Sequence, residues 1–135
     1  MIPYFHELKE FNISYFVGTS LNYLGIDLLL FERIANETDI KIITNTGLSG
    51  AYNNKFFPIY AENCATKALS KRWIKEFNYG IDGTKIKPGF IKIGINNTAN
   101  LSEIHKKLVK PSTVTHLKTG LTIASHTGEV KALWS

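Results

Sequence analysis

Gly89-Phe90-Ile91-Lys92-Ile93-Gly94-Ile95, then a helical stretch over Leu101–Thr119 stopped by Gly120, then Leu121-Thr122-Ile123-Ala124-Ser125: this run decides the fold. Two apolar runs of strand length are joined by a segment far too long for a hairpin, which makes a βαβ unit with parallel strands. The same rhythm extends upstream. Ile13–Val17 (ISYFV) reads as a short buried strand closed by Gly18-Thr19-Ser20. Ile26–Thr38 has helical spacing, with Leu29, Leu30, Ile34 and Ala35 apolar and Glu32, Arg33, Asn36 and Glu37 polar. Ile40–Thr44 is a second strand, and a loop rich in Gly, Asn and Pro covers Leu48–Pro58. Tyr60–Tyr79 is expected as one long amphipathic helix, with Ala65, Ala68, Leu69, Trp73, Ile74 and Phe77 on one broad face and Gly80 at its end. Pro111 lies inside the last helical stretch, where it is expected to kink or break the helix.

Alternation of strands and helices implies a parallel α/β fold, with each crossover right-handed. Two architectures fit: a small doubly wound sheet, or part of a (β/α)₈ barrel. A whole barrel takes roughly 250 residues, so a chain of 135 residues would supply about half of one. Neither a low-complexity linker nor an internal repeat divides the chain, and residues 1–135 are expected to form a single domain.

Composition narrows the function classes. Hydrophobic residues make up 44% and charged residues 20%, ordinary for a globular protein. The net charge of +5 is spread over lysines from Lys41 to Lys118 without a dense run or interleaved aromatics, so no nucleic-acid partner is expected. Cys64 is the single cysteine, which excludes an internal disulfide and a multi-cysteine zinc site. The N-terminus lacks the basic and apolar regions of a signal peptide. The strongest apolar run, Ile26–Phe31, is interrupted by Asp27 and falls short of the ~20 residues of a membrane span. A cytoplasmic protein without a membrane partner is expected.

Two residues stand out chemically. Strand alternation puts Ile91, Ile93 and Ile95 on one face and Phe90, Lys92 and Gly94 on the other. An unpaired lysine carried into an apolar environment must pair, lose its proton or be modified. A neutral lysine amine reacts with carbon dioxide to give a carbamate, whose two oxygens can bridge two divalent metals. The plainer alternative is a lysine whose stem is buried and whose ammonium reaches water. His126 follows the strand Leu121–Ser125, at the carboxyl end where parallel α/β folds place ligands, and imidazole is a good zinc ligand.

A specific resemblance now appears. Tyr79-Gly80-Ile81-Asp82-Gly83-Thr84 through Pro88-Gly89-Phe90-Ile91-Lys92-Ile93 resembles the fourth-strand region of the phosphotriesterase family, and Thr119 through Gly128 (TGLTIASHTG) resembles its fifth-strand region. Asn22-Tyr23-Leu24-Gly25, Thr44-Asn45-Thr46-Gly47 and Asn53-Asn54-Lys55-Phe56 resemble the phosphotriesterase-related branch. The resemblance implies that the chain covers about strands two to five of a TIM-type (β/α)₈ barrel. It also implies a hydrolase with two zinc ions, acting through a metal-activated water on an ester, lactone or phosphotriester. Lys92 would be the N6-carboxylysine bridging the two metals, and His126 a ligand to one of them.

The departures bear on activity. The family's His-x-His pair on the first barrel strand is missing: His6 is solitary, followed by Glu7-Leu8-Lys9. The family's later metal-binding histidine and aspartate would lie beyond Ser135. His105 and His116 are expected at the surface and do not replace them. Two ligands cannot hold two metals firmly, so this chain alone is expected to be inactive. A half barrel also leaves open sheet edges, which implies a homo-oligomer or a separate missing half as partner. The alternative is a catalytically inactive remnant or interaction module with an open α/β fold. A flavodoxin-like nucleotide-binding domain would need a better phosphate-cradling loop than Gly18-Thr19-Ser20.

Overall fold

The computed structural model describes residues 1–96 and 100–127. The chain begins with a helix absent from the expectations above, α1 (Ile2–Glu10), with a proline in its first turn. It then runs through β1 (Tyr15–Val17), α2 (Leu28–Thr38), β2 (Lys41–Ile43), β3 (Asn45–Thr46), α3 (Ile59–Asn63), α4 (Thr66–Tyr79), β4 (Phe90–Ile95), α5 (Glu103–Thr119) and β5 (Thr122–Thr127). Asp27, which interrupts an apolar run in the sequence, caps α2: its Oδ1 accepts from the Leu30 N–H at 2.9 Å.

All pairings are parallel. β1 pairs with β2, β3 with β4, and β4 with β5. β2 and β3 flank Thr44 on one continuous path, so four strand positions follow one another in chain order. A doubly wound sheet reverses its strand order at a switch point, and no reversal occurs among the described residues. The second strand extends further than expected, because Asn45 and Thr46 carry its pairing on to β4. Among the described residues the strands form an open array and close no barrel.

The helices cover one face. Ile91, Ile93 and Ile95 pack against Leu69 and Trp73 of α4 and Leu108 of α5 in the main core, which also takes in Leu48, Phe57 and Ala61. A smaller cluster joins Phe5 of α1, Ile34 of α2 and Ile40. Burial of such side chains contributes about 1.5–3 kcal/mol each, and it explains three corrections to the expected elements.

The stretch Tyr60–Tyr79 is not one helix. Cys64 and Ala65 are extended, with ψ of 156° and 146°, and separate α3 from α4. Ala65 and Ala68 are exposed rather than buried. Apolar spacing alone does not distinguish one long helix from two shorter ones that share a core. Pro111 neither breaks nor stops α5, which runs unbroken around it. Its ring is buried, and the Ser112 hydroxyl donates to the Leu108 and Val109 carbonyls of the preceding turn. His105 is not a surface residue: it is 1% exposed, on the same stripe as Leu108, Ser112 and Thr115. His116 is exposed as expected, with Nδ1 2.9 Å from the Leu121 carbonyl oxygen. Among the described residues no helix is long and apolar enough to cross a membrane.

Candidate functional site

The site is built on β4 and β5. In register, Phe90 lies opposite Thr122, Lys92 opposite Ala124, and Gly94 opposite His126. Paired residues in a parallel ladder point to the same face. Lys92 and His126 therefore share the face turned away from α4 and α5, one register step apart. His126 is part of β5 rather than the loop after it, because the strand runs two residues beyond the expected Ser125. It is exposed and Lys92 is half-buried. Among the described residues no hydrogen bond or ion pair reaches the Lys92 ammonium.

The chain after β3 fixes the strand that carries Lys92. Gly47 has φ of +121°, and a Cβ there would overlap the Lys92 carbonyl. Only glycine permits both the conformation and the approach. A Cβ on Gly94 would similarly collide with the Ser49 hydroxyl, and Ser49 is bridged to Gly94 in parallel. Asn45, buried, donates through Nδ2 to the Gly18 and Ser20 carbonyls at 2.8 and 3.0 Å. The loop after β1 is thereby tied to β3, and Gly18-Thr19-Ser20 supplies acceptors rather than a phosphate cradle.

A second polar knot lies on the helix side of the sheet. Glu76 of α4, 6% exposed, accepts a short hydrogen bond from the Thr46 hydroxyl. It also accepts from Arg72 Nε at 3.2 Å, while Arg72 Nη2 reaches Asp82 at 3.3 Å. Burial pushes the Glu76 carboxyl above the usual carboxylate range, against the downward pull of Thr46 and Arg72. The Arg72 guanidinium also lies 5.0 Å from the Tyr60 ring centroid. This cluster fastens α4 to the sheet and faces away from Lys92.

Histidine does structural work at the opposite end. His105 Nε2 accepts from the Asn96 N–H at 3.3 Å and sits 3.3 Å from the Gly50 carbonyl oxygen. It links the segments after β3 and β4. Its position was legible: residues 105, 108, 112 and 115 follow helical spacing and mark the buried stripe. Glu76 could be found from its i,i+4 spacing to Arg72, although its depth could not.

Among the described residues no group of three or more His, Cys, Asp or Glu side chains could hold a metal ion. Lys92 and His126 are two potential donors on one face, and two donors do not complete a metal centre. No catalytic step by this chain alone follows from them. One matching family description, "Phosphotriesterase family", covers residues 3–133, nearly the whole chain.

The chain belongs to the phosphotriesterase family. It is 27% identical over 105 residues to the phosphotriesterase homology protein of Escherichia coli, covering 78% of this chain and 35% of that protein. It is 24% identical over 117 residues to the aryldialkylphosphatase of Saccharolobus solfataricus, covering 87% of this chain and 36% of the relative. A phosphotriesterase-related protein of Nematostella vectensis is 30% identical over 98 residues, covering 72% of this chain and 27% of its own length. In fold, the chain resembles the crystal structure of the E. coli phosphotriesterase homology protein complexed with phosphate in its active site. That match has a TM-score of 0.83 at 22% identity, covering 94% of this chain and 43% of the other. The chain thus spans about a third of the length of these relatives in sequence and less than half of the solved one.

Proposed function

We propose that this chain is a four-strand segment, about strands two to five, of a (β/α)₈-barrel metal-dependent hydrolase of the phosphotriesterase type. In this reading Lys92, as its carbamate, and His126 would be among the residues that hold divalent metal, zinc in the first instance. The observation that carries it is the shared face of β4 and β5. There Lys92 and His126 stand one register step apart, and the Lys92 ammonium has no charged partner among the described residues. The sequential parallel strand order supports a barrel segment over a doubly wound sheet.

The metals in such a site supply an activated water and polarise the oxygen of the bond under attack. The substrate class is an ester, lactone or phosphotriester. The phosphate bound in the active site of the E. coli relative is compatible with a tetrahedral oxyanion there. What this chain's residues contribute is narrower. Gly47 and Ser49 hold β4 so that Lys92 stands on the open face, and Asn45 holds the loop after β1 beside it. The sequence holds no His-x-His pair and no histidine after His126, so the chain alone is proposed to be inactive.

The test begins with the native product, blotted from source-cell lysate with an antibody to α4 and purified for metal analysis. A product of full-barrel length should contain zinc. It should also carry a carbon-13 carbamate resonance after exposure to labelled bicarbonate. Lys92→Met should abolish the resonance and cut the metal content at least tenfold, and His126→Ala should weaken metal retention. A full-length product with neither metal nor carbamate would end the hydrolase reading and leave family membership as ancestry.

A further inference from the structure

We propose that the outward groove between α4 and α5 is a docking site for an acidic peptide segment of a partner protein, which inserts one bulky apolar side chain there. The groove lies on the opposite side of the sheet from Lys92 and His126, and its use does not depend on metal.

The fold gathers basic residues that the sequence disperses. α4 carries Lys67, Lys71, Arg72 and Lys75 against Glu76 alone, and α5 carries Lys106, Lys107, Lys110 and Lys118 against Glu103 alone. These helices pack against each other and hold an excess of six positive charges, more than the +5 of the whole chain. The rest of the chain is close to neutral. The carboxylates of the two helices are already engaged. Glu76 is buried against Thr46 and Arg72, and Glu103 pairs with Lys106 at 2.8 Å. Lys106, and Lys110 from further off, hold the Glu103 carboxyl below the usual range. Lys107 donates to the Glu62 carbonyl. Lys67, Lys71, Lys75 and Lys110 make no hydrogen bond or ion pair among the described residues.

Between the helices the surface is concave and mostly apolar. Thr66 and Ser70 of α4 and Val109 and Val114 of α5 line a groove of about 660 Å³, with Lys67 and Lys110 beside it, one from each helix. Val114 is 43% exposed. The groove follows little more than one turn of each helix, so it takes a single side chain rather than a whole helix face. An apolar anchor in a pocket with charged groups around it is a common way for an interface to concentrate its affinity. Carboxylates on either side of the anchor would meet the unpaired lysines. A bilayer surface is flat on this scale and does not reach the groove. Nucleic acid has no aliphatic anchor, and the lining holds no aromatic ring for a base to stack on. Further barrel units would not fill the groove either. Added strands extend the row at β1 or β5, and the outer side of two successive helices stays open.

Fluorescence anisotropy on the full chain tests this, with a labelled peptide of glutamates around one central leucine. Saturable binding that weakens as salt is raised is the expected result. A glutamate-only peptide should bind about tenfold more weakly, as the loss of one buried leucine requires. A peptide of lysines around the leucine should not bind. Lys67→Glu combined with Lys110→Glu should weaken the glutamate–leucine peptide about tenfold. Lys55→Glu combined with Lys85→Glu makes the same change of net charge away from the groove and should bind as the wild type does. Val114→Asn should bring the leucine peptide down to the level of the glutamate-only one and leave the latter unchanged. All five positions are exposed, and near-ultraviolet circular dichroism of buried Trp73 reports an intact core in each variant. Absence of binding, equal binding of the two acidic peptides, or equal loss in the two charge-reversed proteins would each overturn the proposal. So would tighter binding to phosphatidylglycerol vesicles or to duplex DNA than to the peptide. A metal-free chain that binds the peptide in this pattern upholds the docking site whatever becomes of the hydrolase reading.

Discussion

Glu76 places a carboxyl group between α4 and the sheet, where burial outweighs the hydrogen bonds that would keep it ionised. Its pKa in the folded chain lies above the ordinary value of 4.5, so between those two values the native state holds a proton that the unfolded chain releases. Stability from this group is full below pH 4.5 and is lost as the pH rises through the raised value. Glu76→Gln keeps an acceptor for Thr46 and cannot ionise. Urea melts of the two proteins should therefore diverge in favour of the wild type as the pH is lowered from neutral toward 4.5. A pH-independent difference would mean that burial does not govern this carboxyl. Gly47 gives a second test at this scale. Alanine there combines a φ of +121° with overlap on the Lys92 carbonyl, and should cost about 2–4 kcal/mol. Equilibrium unfolding measures it, and a cost below about 1 kcal/mol would show that the segment after β3 moves freely away from β4. The placement of Lys92 and His126 on neighbouring strands was legible because strand alternation singles out a charged or ligating side chain. Asn45, Gly47 and the depth of Glu76 were not, because they depend on segments far apart in the chain approaching closely.

Among the elements, α5 sets local propensity against packing. An interior proline is disfavoured by about 3 kcal/mol relative to alanine, yet α5 continues through Pro111 because that residue lies on the buried stripe with Leu108 and Ser112. Pro111→Ala would return the missing N–H and remove two buried methylenes, which are worth about 0.8 kcal/mol each. The helix gain exceeds the packing loss, so the variant should be more stable by about 1 kcal/mol. The check is a raised urea midpoint at unchanged slope. A lowered midpoint would mean that the ring's packing outweighs the restored bond. β4, α5 and β5 were readable in the sequence because each has one clear period. α1 was missed although Pro3 sits at its start, since Met1-Ile2-Pro3-Tyr4-Phe5 has no polar face to give the spacing away. The break at Cys64–Ala65 was missed because neither residue is a turn former.

At the scale of the whole molecule, the sequence left two architectures open because strand order is a non-local property. The sequential pairing of β1 through β5 removes the reversal that a doubly wound sheet needs, and leaves a face that must be closed by something. That face carries Lys41 and Lys92 but no acidic residue at any described strand position.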